Sequence, residues 1–530
     1  MTMASGYLSI VLHAHLPYVR HPEDENVLEE NWFYEAISET YLPLLQALRR
    51  LEADDVPFRL TVSLSPTLAA MFGDELLQQR YLAHLEKLLR LCEIEEANNR
   101  AEPERRELAG MYRQRFLNCR EEFLGLYQRD LIQGFKHFAK KGCLELITSN
   151  ATHAFFPVLS IFPEGVHAQV ATAVSAHRKV IGSSPAGLWL PECGYYPGLE
   201  NSLGACNLSY MILETHGLLF AEKSPRYSVF APIVCPNGVA AFGRDPESSR
   251  AVWSAEDGYP SHPVYREFHR DLSFDMDDRG KSELTSLWDS RLHTGIKYYA
   301  VTGRTENKRY YQREKALQKA KAHADHFVQE RLHQITRISR HMDRPPILVC
   351  PFDAELFGHW WFEGPEWLEQ VIRSTAAASE KLEMVSPGDY LSMYPDNQVT
   401  VPSFSSWGNK GYSEVWIDGS NDWIYRHIHK ALERMIDLSK RFPNERGIIR
   451  RALNQAGREV LLSQASDWPF IMKIGSTVPY AVRCIHEHIH NFTRIYEQVM
   501  TNRIDQEWLV GIEKKNNIFA DIDYRFFNKT

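Results

Sequence analysis

Residues 8–15 read Leu-Ser-Ile-Val-Leu-His-Ala-His, a short apolar run that ends directly in two histidines. The same arrangement recurs along the chain: apolar runs bounded by turn signals are followed at once by polar, chemically capable residues. These runs cover residues 58–64, 144–147, 187–190, 210–213, 347–350 and 382–385. Continuous apolar runs of this length indicate strands of a parallel sheet that is covered on both faces. Together with residues 8–12 they make seven predicted strands, each with its polar side chains at the same end.

Helical patterns separate these strands, which is typical of an α/β fold. Two architectures fit this order. An open doubly wound sheet places its site at one switch point, whereas a barrel collects site residues from the carboxyl ends of all its strands. Because polar residues follow every strand, we favour an incomplete or distorted (β/α) barrel over residues 1–400.

Two further regions have a helical pattern. Residues 75–141 are charged and helix-favouring, with apolar residues at three- and four-residue spacing, and we expect an inserted helical subdomain there that packs over one rim of the barrel. An amphipathic pattern returns over residues 422–503. It predicts a C-terminal helical domain within residues 401–530 that contributes to the substrate cleft, and residues 399–421 form a loop that leads into it.

Composition excludes several function classes. The 530-residue chain is 44% hydrophobic and carries a formal net charge of -8, so the basic surface of a nucleic-acid binder or an anionic-membrane binder is missing. Its eight cysteines are scattered without a C-x-x-C pair, and no apolar stretch is long enough to span a membrane. We therefore expect a cytoplasmic protein that binds neither nucleic acid nor membrane.

Two carboxylates follow strand ends among dense aromatic residues. Glu192 lies in Trp-Leu-Pro-Glu-Cys-Gly-Tyr (189–195), and Asp353 lies in Pro-Phe-Asp-Ala-Glu-Leu-Phe-Gly-His-Trp-Trp (351–361). A lone carboxylate in such a place usually caps a helix or pairs with arginine, but aromatic rings also stack on the apolar faces of sugars. Such a pair suits a glycosidase with one ionised nucleophile and one protonated general acid, and a separation of about 5–5.5 Å implies retention of configuration.

The histidines after the first strand leave two interpretations open. His13 and His15 form an H-x-H pattern that can begin a metal site in barrel hydrolases, with His153, His216 and His359 as further ligands. Equally, they can hydrogen-bond sugar hydroxyls or the nucleophile.

Other motifs carry less weight. Residues 486–490 match the zinc-protease pattern H-E-x-x-H, but we interpret this short match as one face of an amphipathic helix. No P-loop, dinucleotide fingerprint or G-x-S-x-G elbow is present, so neither ATP, NAD nor serine-esterase chemistry is predicted.

Four segments together resemble the motifs of glycoside hydrolase family 57. They are residues 13–17, 189–195, 351–359 and 243–249 with 252–254. Within that family the chain most resembles the 1,4-α-glucan branching enzymes, and the resemblance extends along nearly its whole length. It implies a (β/α)7 barrel with an inserted helical domain and a C-terminal helical domain, and it implies neither a metal nor another cofactor.

The resemblance also implies roles for individual residues. Glu192 corresponds to the nucleophile and Asp353 to the general acid/base, while His13 and His15 line the donor site. The positions expected to contact substrate are Arg266, Gly295, Trp407, Asp467 and Ser476. The implied reaction cleaves an α-1,4-glucan through a covalent intermediate and transfers the chain to a 6-hydroxyl, which makes an α-1,6 branch.

One departure bears on the balance between transfer and hydrolysis. Branching members are expected to close a tyrosine-bearing loop over the intermediate, yet residues 231–242 contain no tyrosine. Either Tyr227 or another group takes the place of that tyrosine, or the seal over the intermediate is weaker. The alternatives are an α-amylase or 4-α-glucanotransferase of the same chemistry, a metal-dependent barrel hydrolase, and a glucan-binding protein without catalysis.

Overall fold

The computed structural model describes residues 4–25, 27–254, 257–276, 293–303, 305 and 307–528. Its strands are β1 (Gly6–Ala14), β2 (Leu60–Leu64), β3 (Leu144–Ile147), β4 (Gly187–Trp189), β5 (Tyr210–Leu213), β6 (Ile233–Val234), β7 (Ala240–Gly243), β8 (Ile347–Asp353), β9 (Leu382–Met384) and β10 (Gln398–Val399). The first helices are α1 (Glu30–Ala36), α2 (Leu42–Ala53), α3 (Pro66–Phe72), α4 (Glu75–Asn98), α5 (Pro103–Glu121), α6 (Ile132–Lys140), α7 (Phe156–Leu159), α8 (Pro163–Ile181), α9 (Leu199–Ala205) and α10 (Thr215–Leu219). The others are α11 (Pro246–Trp253), α12 (Arg313–Ile338), α13 (Gly364–Ala377), α14 (Pro387–Met393), α15 (Tyr425–Arg441), α16 (Gly447–Ser463), α17 (Asp467–Ile474), α18 (Val478–Met500) and α19 (Gln506–Lys515).

Seven parallel strands follow one another in a ring, in the order β8, β1, β2, β3, β4, β5, β7. Two neighbouring pairs of strands in this order, β3 with β4 and β7 with β8, belong to different hydrogen-bonded sheets and meet through a few backbone hydrogen bonds. At one, the Trp189 amide donates to the Thr148 carbonyl over 2.8 Å; at the other, the Asp245 amide donates to the Val349 carbonyl over 2.8 Å. The predicted α/β fold class is confirmed, and the ring has the strand number of a distorted (β/α)7 barrel.

The alternation of side chains along each strand decides what fills the ring. Alternate residues of the strands form one buried cluster, which includes Val11, Ile147, Trp189, Ile212 and Val349. The intervening residues face the helices outside. Because side chains two residues apart share a face of a strand, His13 on β1 lies on the same inward face as Val11.

Strand register places polar residues side by side at the upper rim of the ring. His13 of β1 is paired with Ser63 of β2 on one side and with Asp353 of β8 on the other. The strand register alone therefore makes His13, Asp353 and the Ser63 hydroxyl neighbours in the sheet.

All seven predicted strands are present, but one of them is not in the ring. Strand β9 pairs only with the first residues of β1, and the remaining place in the ring belongs to β7. The sequence analysis missed β7 because Ala240-Ala-Phe-Gly243 is short and contains two alanines and a glycine.

The helical regions lie where the sequence predicts them. Helices α4 and α5 fall within residues 75–141, and α15 to α19 follow residue 421. The limits of the inserted subdomain and of the C-terminal domain stay predictions. Along the described part of the chain, no helix combines the length and apolarity that a membrane span requires.

The segment without a tyrosine is part of the sheet. Strands β6 and β7 pair antiparallel, so residues 233–243 form a hairpin rather than a loop over the strand ends. Tyr227 also lies elsewhere: its ring faces Arg226 and Arg344, and Arg344 precedes β8 at the opposite end of the strands. Tyr227 is therefore not placed at the rim, and the alternatives that stay are another group or a weaker seal.

Candidate active site

A cleft of about 1100 Å³ opens at the carboxyl ends of the strands. Barrel residues and residues of the C-terminal helical region line it together. The predicted site residues in its wall are His13, His15, Glu192, Gly295, Asp353, Trp407, Asp467 and Ser476. The structure therefore brings together all but one of the residues predicted to be catalytic or to contact substrate, whereas His216, considered as a metal ligand, lies outside the cleft lining against the Gly411 carbonyl.

Glu192 is held in a strained backbone conformation just after β4. It lies in a 3₁₀ turn, Pro191–Cys193, with φ 59° and ψ 22°, and Cys193 also has a positive φ of 49°. Left-handed conformations of residues other than glycine cost free energy and cluster at functional sites. The turn directs the Glu192 carboxylate into the cleft wall.

Two donors hold the two oxygens of this carboxylate. The Trp407 indole N–H donates to Oε2 over 2.7 Å, and the Ser466 hydroxyl donates to Oε1 over 2.7 Å. Burial raises the pKa of Glu192 to about 7, although both hydrogen bonds act to lower it. The donors thus favour the ionised form that a nucleophile needs, within a setting that otherwise disfavours charge.

Asp353 has a different environment. It is the last residue of β8, and burial raises its pKa well above the usual range. The negative charges of Glu355 and Glu192 raise it further, while Arg244 acts in the opposite direction. A protonated Asp353 beside a hydrogen-bonded Glu192 is the division of roles that a general acid and a nucleophile require.

Three histidines stack beneath the two carboxyls. The His13 ring lies 4.6 Å from the Trp189 ring at an interplanar angle of 1°, and the His15 and His153 rings lie 3.7 Å apart at 13°. Nε2 of His13 is 2.9 Å from Nε2 of His153, and His15 Nε2 is 3.3 Å from the Asp467 carboxylate. These contacts join three strand ends and helix α17 into one polar network.

The arrangement of the rings argues against a metal centre. His15, His153 and Asp467 offer ligand atoms within 4.8 Å of one another, as a metal site would. However, an imidazole lone pair lies in the plane of its ring, and two nearly parallel rings 3.7 Å apart cannot both direct one at the same ion. Both nitrogens of His153 are also already within hydrogen-bond distance of neighbours. The histidine cluster is built as a hydrogen-bond network.

The H-E-x-x-H match is not a second metal site. No other group of three metal-ligating side chains meets within the described ranges. His488, the middle histidine, binds the buried Glu459 carboxylate through Nδ1 at 2.7 Å. Glu487 pairs with Lys515, and the His486 ring lies against Trp423. The segment is a helix face, as interpreted from the sequence.

Backbone geometry positions two of the predicted substrate contacts. Gly295 has φ +74°, and its amide donates to Asp271 Oδ2 over 2.8 Å, so glycine suits this position in the wall. Ser476 lies between Gly475 and Thr477, which both have positive φ, in the turn from α17 to α18.

Arg266 is the predicted residue that does not reach the cleft. Its side chain is fully buried, and its guanidinium lies 3.3 Å from Glu39, 3.2 Å from the Tyr112 hydroxyl and 3.3 Å from the His359 carbonyl. Although burial alone would raise the pKa of Glu39, Arg266 and His359 lower it to about 2. Arg266 thus supports the wall from behind, since Glu39 in turn holds the cleft residue His359.

The sequence analysis missed several residues of the cleft and of the shell directly behind it. Arg244 follows the unrecognised strand β7, and Ser466 precedes α17 without any motif. Trp360 is 53% exposed and stacks on Phe268 with ring centroids 4.2 Å apart. The adjacent tryptophans of residues 351–361 were the available signal for this platform. Trp32 and Trp416 also line the cleft, and the Trp416 ring is almost fully buried against Phe155.

Comparison with known families gives two matches. The family described as glycosyl hydrolase family 57 matches residues 9–402. The family described as the C-terminal region of 1,4-α-glucan branching enzymes matches residues 427–527.

Individual relatives cover almost the whole chain. The solved structure of the α-amylase AmyC from Thermotoga maritima is 40% identical, with a TM-score of 0.91 over 99% of both chains. The structure of a family 57 branching enzyme from Pyrococcus horikoshii is 29% identical, with a TM-score of 0.89 over 99% of this chain and 97% of that one. A 1,4-α-glucan branching enzyme from Thermococcus kodakarensis is 29% identical over 98% of this chain and 78% of its own length.

Proposed function

The chain belongs to glycosyl hydrolase family 57, and from that premise we propose that it is a 1,4-α-glucan branching enzyme whose nucleophile is Glu192 and whose general acid/base is Asp353. One observation carries the assignment of roles: two partly buried carboxyls share a cleft in unequal environments, Glu192 with a donor on each oxygen and Asp353 with no such donor among the described residues. The family match to the C-terminal region of branching enzymes supports the branching activity.

The first half of the reaction forms a covalent intermediate. A carboxylate oxygen of Glu192 attacks the anomeric carbon of an α-1,4-linked glucan, and the bond to the glycosidic oxygen breaks. Asp353 gives its proton to that departing oxygen. The donor chain is then an ester of Glu192, and Asp353 is ionised.

The second half transfers the chain. Asp353 takes the proton from the 6-hydroxyl of another glucan as this oxygen attacks the anomeric carbon, and the ester bond to Glu192 breaks. The product has an α-1,6 branch and retained configuration. Trp407, Trp32 and Trp360 line the cleft and offer faces on which glucose rings can stack.

A specific observation favours a second candidate, an α-amylase. The 40% identical relative from Thermotoga maritima is an α-amylase, and residues 231–242 form a hairpin without a tyrosine instead of a loop over the site. If water reaches the ester before the acceptor does, the same pair of carboxyls hydrolyses the chain.

Proton NMR of amylose incubated with the protein separates these candidates. We expect the α-1,6 anomeric signal to grow without a matching rise in reducing ends. Glu192→Gln and Asp353→Asn should abolish it, and Glu380→Gln, which changes an exposed carboxyl after α13, should not. Reducing ends without α-1,6 signal would identify an α-amylase, and redistribution of α-1,4 chains alone would identify a 4-α-glucanotransferase.

A further inference from the structure

A continuous chain of hydrogen-bonding groups leads from strand β2 to the Glu192 carboxylate. Ser63 Oγ is 3.2 Å from His13 Nδ1, and His13 Nε2 is 2.9 Å from His153 Nε2. His153 Nδ1 is 2.8 Å from Ser466 Oγ, which donates to Glu192 Oε1 over 2.7 Å. All four intermediate residues are buried, with exposed fractions of 0% to 4%.

The carboxylate determines the direction of every bond in this chain. An ionised carboxylate only accepts, so the Ser466 hydroxyl hydrogen points to Glu192, and Ser466 Oγ must accept from His153. A neutral imidazole has one N–H and one acceptor nitrogen. His153 therefore carries its hydrogen on Nδ1 and accepts at Nε2. His13 then donates from Nε2 and accepts at Nδ1 from the Ser63 hydroxyl.

We propose that Ser63, His13, His153 and Ser466 form a polarised relay of positioning residues that aims four successive donors at Glu192 and sets its readiness to carry and release the glucan. This proposal rests on the proposed role of Glu192 as the nucleophile. Chains of hydrogen bonds that point the same way polarise one another, and their effect is strongest away from water.

The protonation states agree with the direction of the chain. Burial lowers the pKa of both His13 and His153 well below the usual range, and the charge of His15 lowers both further. Both rings are thus neutral, as the relay requires. The other titratable groups that face the relay are His15, Asp467, Asp353 and Glu355.

The relay connects the sheet to the start of helix α17. Ser63 and His13 are paired in the sheet register, while Ser466 stands just before α17 and its amide donates to the His153 carbonyl over 2.9 Å. His153 has a positive φ of 59°, a conformation that costs free energy and is maintained here by contacts on both ring nitrogens.

Replacing Glu192 with glutamine should reverse the whole chain. The Trp407 indole can only donate, so the amide must turn its oxygen to Trp407 and its NH₂ to Ser466. The Ser466 hydroxyl then donates to His153 Nδ1, because its hydrogen would otherwise have no acceptor. His153 carries its hydrogen on Nε2, and His13 carries its hydrogen on Nδ1 and donates to Ser63.

Neutron crystallography of the wild-type chain and of Glu192→Gln tests this directly and needs no turnover, with both crystals at a pH well above the Glu192 pKa of about 7 so that the wild-type carboxylate is ionised. We expect deuterium on His13 Nε2 and His153 Nδ1 in the wild type, and on the opposite nitrogens in the variant. Asp353→Asn is the control and should keep the wild-type pattern. A doubly protonated ring in the wild type, or identical tautomers in the wild type and Glu192→Gln, would overturn the relay whatever the reaction proves to be.

Kinetics test what the relay contributes. Ser466→Ala should lower kcat about 10- to 100-fold, because a donor to a charged group is lost. It should also move the acidic midpoint of the pH profile upward by about one pH unit, since the ionised form of Glu192 loses support.

Variants of the relay residues distinguish the proposed effect on Glu192 from a merely structural role of these side chains. Ser466→Thr keeps the hydroxyl and should restore the wild-type midpoint. Ser63→Ala should move the midpoint in the same direction by less, although it touches neither carboxylate. An unchanged midpoint in both alanine variants would contradict the proposal, even if kcat falls.

Discussion

Glu192 and Asp353 are both partly buried carboxyls, yet among the described residues only Glu192 has a donor on each oxygen. The sequence was enough to predict that these two residues are the paired carboxyls of the site, because each follows a strand inside an aromatic motif. Their unequal environments could not, since Trp407 and Ser466 come from segments more than 200 residues away in the chain. The histidine cluster shows the same limit: the H-x-H pattern left metal binding open, and the parallel rings of His15 and His153 decide against it.

The pH dependence of catalysis follows from these environments. We expect kcat/KM to rise as the pH increases through about 7, because Glu192 must lose a proton whose pKa is raised to about 7. Asp353 must keep its proton, and its raised pKa places the basic limb at higher pH. The two limbs belong to the coupled pair. An acidic limb near 4.5, as for an ordinary glutamate, would refute this assignment.

The Trp407 indole contributes a hydrogen bond as well as a stacking face. Trp407→Phe keeps a ring but removes the donor to Oε2, and we expect kcat to fall about 10- to 100-fold with a smaller effect on KM. Trp367→Phe is a matched control, because Trp367 is buried outside the cleft lining and its Nε1 has no hydrogen-bond partner in the described part of the chain. Equal losses in the two variants would mean that ring volume alone matters.

Glu192 should also affect stability. A folded-state pKa of about 7 lies above that of an unfolded glutamate, so its contribution to stability is present below pH of about 4 and is lost as the pH rises through 7. Glu192→Gln cannot ionise. It should therefore be more stable than the wild type by about 3 kcal/mol at pH 8, with the difference closing by pH 4. Thermal unfolding at the two pH values measures this, and a less stable variant at pH 8 would contradict it.

At the scale of elements, the apolar runs predict the longer strands well, whereas the short or irregular elements are not predicted. Strand β7 has only four residues, so its pattern did not reveal it, and Arg244, although inside the motif at residues 243–249, was not predicted to be a cleft residue. The π-helical segment Ile37–Tyr41 was also unforeseen, because its wider turn depends on tertiary contacts. It brings Glu39 to His359 and the Tyr41 hydroxyl to Glu355, so it ties α1 and α2 to the Asp353 loop.

Gly358 shows how closely this π-helical segment packs. Its φ is +113°, and a Cβ there would lie 1.7 Å from the Glu39 carbonyl oxygen. Gly358→Ala should lower the free energy of unfolding by about 2–5 kcal/mol, since it adds left-handed strain and overpacking. Gly511→Ala in α19, where a Cβ meets nothing within 4 Å, should instead stabilise by about 0.5–1 kcal/mol. Chemical denaturation compares both variants, and a neutral Gly358→Ala would contradict the packing described.

At the scale of the whole molecule, the barrel and the helices after residue 421 build one cleft. The order of strands and helices predicts both parts, whereas the way they meet depends on contacts across long sequence separations. Asp467, Ser466 and Ser476 belong to the helical region after residue 421 and lie at the strand ends. No local sequence pattern predicts such contacts.

A buried network holds the C-terminal helices together. Glu459 of α16 binds His488 at 2.7 Å and Asn516 at 2.9 Å, and these partners lower its pKa although burial opposes them. Its contribution to stability is therefore present above the unfolded pKa of about 4 and is lost as the pH falls. At pH 7, Glu459→Gln should cost about 1–3 kcal/mol, because one buried oxygen that accepts hydrogen bonds becomes an NH₂ group. Glu513→Gln, at a partly exposed pair with Arg451, should cost less than about 1 kcal/mol by the same denaturation assay.

The most direct test of the central claim is to trap the covalent intermediate. Asp353→Asn lacks the general acid, but an α-maltooligosyl fluoride needs no protonation of its leaving group. Fluoride should depart as Glu192 attacks, and the ester should persist because the base for the second step is missing. Mass spectrometry of the digested protein should find the added sugar on the peptide that contains Glu192. Sugar on another residue, or release of product with inverted configuration and no adduct, would contradict the double displacement at Glu192.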